Sequence, residues 1–237
     1  MVACQPLKAA IFDLDDTIFD HSAVMQTSLE HVAQVHNLPH GFVPAFLRAN
    51  QVMWADYERG KLSREKIRFG RMEAALAVIG IPGLDAKTLM EEYFAHYGSQ
   101  QRLFPGALDC LAKLGCIIKL GIITNGFVDI QRAKLENTGL AELVDVVLIS
   151  EETGRIKPHP EVFRLALERL GVTSEEAIYI GDSYASDIVG AESAGIQTIW
   201  FNPRGATPTG DYKGEIVTDW RILEQNLLLK INGGCNG

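Results

Sequence analysis

Apolar residues along the chain fall into two textures. From Ser22 to about Gly98 they recur at helical spacing: Met25, Leu29 and Val32; Val43, Phe46, Leu47, Met53 and Trp54; Phe69, Met72, Leu76 and Ile79; Leu89, Met90, Tyr93, Phe94 and Tyr97. No strand-like run interrupts them. Pro39 to Gly41, the neighbourhood of Gly60, and Pro82-Gly83 break the block into four, which predicts a small helical bundle with its own core.

On either side of that block, short apolar runs alternate with amphipathic stretches. Ala9 to Phe12, Ile117 to Ile123, Val144 to Ile149, Ala177 to Ile180 and Thr198 to Phe201 read as buried parallel strands. Pro160 to Leu170 reads as a helix with Phe163, Ala166, Leu167 and Leu170 on one face and Gly171 as its stop. Such alternation predicts an α/β fold with a doubly wound, Rossmann-like parallel sheet. The helical block follows the first strand, where a single crossover helix would otherwise lie. It therefore reads as an inserted four-helix domain, residues 20–100, within a core made of residues 1–19 and 101–237.

The length of 237 residues agrees, being more than one average domain and less than two. Lys and Arg number 22 against 30 Asp and Glu, a formal charge of -8, which argues against a general nucleic-acid binder or a protein drawn to anionic membranes. Cys4, Cys110, Cys116 and Cys235 form no CxxC pair and have no clustered histidines, so reduced thiols are expected rather than zinc or disulfides. The acidic run at Asp13 comes too early for a secretory leader, and no segment approaches eighteen apolar residues, so a cytoplasmic protein is expected.

In open parallel sheets, ligands bind beyond the carboxyl ends of the strands. The first predicted strand runs into Asp13-Leu14-Asp15-Asp16-Thr17, and the second into Thr124-Asn125-Gly126. The third is followed by Lys157-Pro158, and the fourth by Gly181-Asp182-Ser183, with Asp187 one turn on. Asp13 and Asp15 stand two apart, so an extended chain would point both to the same side. Paired carboxylates suit a nucleophile and a partner acid. Asp182 and Asp187 add charge to the same crevice, and two like charges 4 Å apart repel by roughly 4 kcal/mol at an effective dielectric of 20. So many carboxylates, with no His or Cys nearby, call for a hard divalent cation, Mg²⁺. Thr124, Asn125 and Gly126 offer a hydroxyl, an amide and a flexible backbone for anionic oxygens, and Lys157 offers a positive charge. Together these are the parts of a phosphoryl-transfer site.

With these four motifs in order, the sequence resembles the haloacid dehalogenase superfamily of phosphatases over nearly its whole length, the helical block looking like that family's all-helical cap. The resemblance implies that Asp13 attacks phosphorus and becomes an aspartyl-phosphate, while Asp15 protonates the leaving group and then activates water. It implies Mg²⁺ held by Asp13, by the carbonyl of Asp15 and by Asp182, with Asp187 in support, and phosphoryl oxygens held by Thr124, the Asn125 amide and Lys157. The family's dehalogenases lack the acid/base carboxylate, so Asp15 favours phosphate chemistry. The segments GIITNGF and LISEETGRIKPHPEVF look most like the pyrimidine nucleotide 5′-phosphatases and, more loosely, the acylneuraminate phosphatases. The implied partner is a small phosphorylated metabolite, with a nucleoside monophosphate foremost. A sugar-phosphate phosphatase, a phosphomutase and a non-enzymatic phosphoacceptor switch are the alternatives. Within the helical block, Arg64, Arg68 and Arg71 fall at i, i+4 and i+7, as a substrate-facing stripe or as a solvated face paired with Glu58, Glu65 or Glu73. Trp54 and Tyr57 read as core residues or as a stacking platform.

Overall fold

The computed structural model describes residues 6–207 and 212–233. Within them the chain separates into two compact units, one drawn from Met1–Asp20 and Gln101–Gly237, the other from His21–Gln100.

The larger unit is built on six parallel strands, β1 (Ala9–Phe12), β2 (Lys119–Thr124), β3 (Val146–Ile149), β4 (Ala177–Gly181), β5 (Gln197–Phe201) and β6 (Glu215–Val217). They lie in the order β3-β2-β1-β4-β5-β6. The sequence direction reverses at β1, which pairs with β2 on one side and β4 on the other. This is the switch point at which such sheets form a crevice. Its α-helices among the described residues are α5 (Ala107–Gly115), α6 (Val128–Thr138), α7 (Ser150–Thr153), α8 (Pro160–Leu170), α9 (Val189–Ser193) and α10 (Trp220–Ile231). Every residue of β1 and β4 is buried, as expected of strands covered on both faces. Ala9 and Ile11 of β1 share a core with Val162, Phe163, Ala166 and Leu170 of α8. Phe12 stacks on Trp220 of α10, their ring centroids 5.6 Å apart.

The strand ends differ from the sequence expectation where local groups intervene. β2 begins at Lys119, because the Ile117 N–H still bonds the Leu114 carbonyl at the end of α5 and its side chain is exposed. β3 begins at Val146, after Asp145 has used both its N–H and its carboxylate on the backbone of Leu120. The edge strand β6 was not expected. It has three residues, of which only Val217 is buried, too few to show a period.

The chain leaves this unit after Asp20 and returns at Gln101. The two passages are tied together: Phe19 bridges Leu103 in antiparallel fashion, and the Asp20 N–H donates to the Arg102 carbonyl at 2.9 Å. The smaller unit holds four helices, α1 (His21–Val35), α2 (Phe42–Glu58), α3 (Arg64–Val78) and α4 (Ala86–Ser99). The Ser63 hydroxyl caps α3 and the Asp85 carboxylate caps α4. Leu29, Val32, Phe42, Phe46, Met72, Leu76, Met90 and Tyr93 are buried. Two expectations for this unit need correction. Arg71 is neither solvated nor paired with a glutamate; it is buried beside the Phe46 and Tyr93 rings. Trp54 and Tyr57 are half-buried and pack on each other rather than filling the core. Cys110 is buried and Cys116 exposed, both free, while Cys4 and Cys235 lie outside the described residues. No helix among the described residues is long and apolar enough to cross a membrane.

Candidate active site

At the end of β1 the Asp13 N–H still bonds the Ile180 carbonyl, which fixes the residue against β4. The chain then turns, with Asp16 in the left-handed region at φ 61° and the Leu14 carbonyl accepting from Ile18 and Phe19. After β5, Arg204 reaches back to Asp16 at 3.1 Å and Asp20 at 2.6 Å, holding both ends of this loop. Across the crevice, β4 ends at Gly181. A Cβ there would fall about 2.5 Å from the carboxyl carbon of Asp187, so only glycine lets that side chain fold back over the strand end.

One oxygen each of Asp13, Asp182 and Asp187 lies within 4.8 Å of the others. The Lys157 ammonium donates to Asp13 Oδ1 at 2.5 Å and to Asp187 Oδ1 at 2.7 Å. The Tyr179 hydroxyl completes this buried knot, donating to Asp187 Oδ1 at 3.0 Å. Asp187 Oδ2 accepts from the Ser183 N–H, so both its oxygens are engaged. Asp13 Oδ2 and the carboxylate of Asp182, by contrast, have no hydrogen-bond partner among the described residues. The carbonyl of Asp182 is held by the Trp200 indole at 2.7 Å.

Burial is the main reason the Asp13 carboxyl is pushed up to about 8, with Asp187 and Asp15 adding to the effect and Lys157 opposing it. Burial likewise holds Asp182 well above the usual carboxylate range, helped by Asp13 and Asp187. Desolvation alone would weaken the Lys157 ammonium, but Asp13 and Asp187 outweigh it and keep the proton on more firmly than usual. Three carboxylates thus face one ammonium. The donor set is all oxygen, two of its members have free oxygens, and the excess charge is negative, which fits Mg²⁺.

Asp15 has a different set of partners. The strand ends at Phe12, so Asp15 sits in the turn beyond it, near enough to Asp13 for its charge to act on that carboxyl. Its carboxylate is gripped from α6, by Lys134 Nζ at 2.5 Å and Gln131 Nε2 at 2.8 Å. Gln131 also donates to Thr124 Oγ1, linking the ends of β1 and β2. A Cβ on Gly126 would meet the Gln131 amide nitrogen at 2.3 Å, so this contact too needs a glycine. Gln131 and Lys134 were not expected from the sequence. Their signal was a helix whose buried face, Gln131, Lys134 and Leu135, is mostly polar.

Asn125 turns its side chain inward, leaving only its main-chain N–H for the phosphoryl role expected of it. Its side-chain amide is committed within the protein: Nδ2 donates to the Lys157 carbonyl, while Oδ1 accepts from the Lys157 N–H and the Ser150 hydroxyl. It positions the Lys157 loop, and the side chain is not available to an outside anion. Thr124 and Lys157 are buried at the strand ends as expected.

The family model for haloacid dehalogenase-like hydrolases matches residues 10–201. The chain belongs to this family. Among curated relatives, the HAD-hydrolase YfnB of Bacillus subtilis is 32% identical over 83% of this chain and 84% of its own. The pyrimidine 5′-nucleotidase YjjG of Escherichia coli is 31% identical over 84% of this chain and 90% of its own. The crystal structure of YfnB bound to magnesium superposes with a TM-score of 0.83 at 29% identity, covering 94% of this chain and all of that one. Family membership agrees with the parallel six-stranded sheet and its flanking helices. The grip on Asp15 and the commitment of Asn125 are read from this chain's own geometry.

Proposed function

We propose that the chain is a Mg²⁺-dependent phosphomonoester hydrolase that works through an aspartyl-phosphate at Asp13, with nucleoside monophosphates as its substrates. The observation that carries this reading is the contrast between the two motif carboxylates. Asp13 is anchored through one oxygen by Lys157 and keeps the other without a partner, while Asp15 is held separately by α6. This contrast supports a nucleophile at Asp13 and a proton-transfer group at Asp15, a division that general acid–base and nucleophilic catalysis require.

Asp13 and Asp182, with the carbonyl of Asp15, would hold Mg²⁺, and Asp187 would support them through Lys157 and the Ser183 N–H. When bound, the ion supplies positive charge that lets a carboxylate approach a phosphate dianion. Lys157 and Thr124, with the main-chain N–H of Asn125, bind the phosphoryl oxygens. Asp13 Oδ2 forms the bond to phosphorus as the ester oxygen leaves, and Asp15 gives that oxygen a proton. Asp15 then takes a proton from the water that cleaves the aspartyl-phosphate. The preference for nucleoside monophosphates is supported by the likeness to YjjG, itself a pyrimidine 5′-nucleotidase.

A panel of nucleotides, sugar phosphates and 2-haloacids, assayed with Mg²⁺ for phosphate and halide release, tests the reading. Phosphate release from nucleoside monophosphates is expected, falling about 1,000-fold or more in Asp13→Asn. Release from hexose phosphates alone would move the substrate class to sugars. Conversion between hexose phosphates without phosphate release would make it a mutase. Halide release without phosphate release, or a phosphorylated state that persists for hours, would overturn it.

A further inference from the structure

The helical unit buries a positive charge that pairs with no carboxylate among the described residues. Arg71 is 6% exposed. Its Nη1 donates to Asn50 Oδ1 at 2.6 Å, and Nε is buried without a hydrogen-bond partner. Its guanidinium sits over the rings of Phe46, Tyr93 and Phe94 at 5.4, 5.8 and 5.7 Å. No ion pair joins it to any carboxylate among the described residues. A buried arginine ordinarily meets an acid that satisfies its planar fork of donors, because removing an unpaired charge from water is costly. Aromatic faces offset part of that cost, yet they accept none of the in-plane N–H groups.

A second observation points the same way. Arg68, one turn earlier on α3, brings its guanidinium to 4.6 Å from the Phe94 ring, so two cations converge on one aromatic face. Their mutual repulsion is part of what weakens Arg71's hold on its proton, after burial itself. A group with negatively charged oxygens would satisfy the vacant donors of Arg71 and relieve the repulsion with Arg68. A cation or a neutral apolar group would do neither.

We propose that Arg71, supported by Asn50 and Arg68, forms a binding site in the helical unit for an oxyanion of a small metabolite, either a phosphate or a carboxylate. The site rests on the helical unit's own geometry and does not depend on the hydrolase reading. It uses the Nε–H that has no partner together with the neighbouring Nη2 edge, and the bidentate geometry of guanidinium suits either anion.

Nitrogen-15 spectra of the full-length Asp13→Asn protein, which removes turnover, resolve arginine Nε–Hε groups, and Arg71→Lys assigns the Arg71 signal. Inorganic phosphate and acetate are titrated separately, with chloride at matched ionic strength as the control. The expected result is a saturable shift of the Arg71 signal with a Kd of about 10 mM or tighter for at least one oxyanion, and none for chloride. Phosphate alone, acetate alone, or both identify which oxyanion the site takes. Asn50→Asp places a carboxylate beside Nη1. It is expected to raise Tm and to weaken oxyanion binding at Arg71 about tenfold or more. Absence of a shift up to about 50 mM of both oxyanions overturns the proposal. So does an oxyanion affinity in Asn50→Asp that stays within about twofold of the parent.

Discussion

In the core, Lys157 lies between two carboxylates and a phenol, every one of them supplied by the chain. In the helical unit, Arg71 lies between three aromatic rings and a neutral amide. Both cations are buried, but only the first has its counter-charge built in. The core therefore carries an excess of negative charge that calls for a cation, and the helical unit a positive charge that calls for an anion. A buried charge left unbalanced in a folded chain is informative, because its cost is tolerated only where something else offsets it.

Removing Lys157 should break the core half of this contrast most severely. Lys157→Met leaves Asp13 and Asp187 facing each other without their shared ammonium. The metal-free protein should lose about 3–5 kcal/mol of stability, read from urea unfolding. A loss under about 1 kcal/mol would mean that the carboxylates are solvated rather than dependent on the lysine.

Mg²⁺ should act in the opposite sense, and with a pH dependence set by Asp13. Burial holds this carboxyl at about 8, whereas in an unfolded chain it titrates near 4. From this group, the stability of the metal-free fold is therefore greatest below about pH 4. It declines as pH climbs toward 8, because the unfolded chain has given up a proton that the folded one retains. The ion replaces that proton, so binding should release it and should raise Tm more at pH 8 than at pH 5.5. Saturation to about a hundredfold over Kd corresponds to roughly 2.7 kcal/mol. An equal Tm gain at both pH values would show that Asp13 is already ionised without the metal.

Lys134→Met frees Asp15 from its strongest partner. If the grip sets the geometry of proton transfer, kcat should fall about 100-fold with little change in KM. Gln131→Leu should do the same more weakly, since Lys134 remains. An unchanged kcat in both variants would reduce α6 to a structural role. The smallest effect is expected in the helical unit, where Phe94→Ala removes the ring shared by Arg68 and Arg71. Thermal unfolding should report a loss of about 1–2 kcal/mol, and a neutral result would mean that the other two rings suffice for Arg71.

The sheet and four of its strand-end motifs were legible because short apolar runs, each followed by a polar cluster, need only local pattern to be seen. Asp13, Lys157 and Asp182 could be named for that reason. Asn125 shows where such reading stops. Its type suited an anion-binding turn, but its bonds to Ser150 and Lys157 depend on residues 25 and 32 positions away, which the pattern around it does not encode. Gln131 and Lys134 were missed because a polar helix face looks solvated unless one knows which side meets the sheet. Arg71 looked like surface for the same reason, and β6 was too short to carry any periodicity.

The bond between Asp20 and Arg102, with the Phe19–Leu103 bridge beside it, puts the two ends of the helical insert at neighbouring positions on one clasp. The core is thereby closed before the insert begins. The path from β1 to α5 is joined at this point by main-chain contacts of its own. The insert thus departs from the core and rejoins it through one pair of adjoining backbone segments, both belonging to the unit that carries the carboxylates.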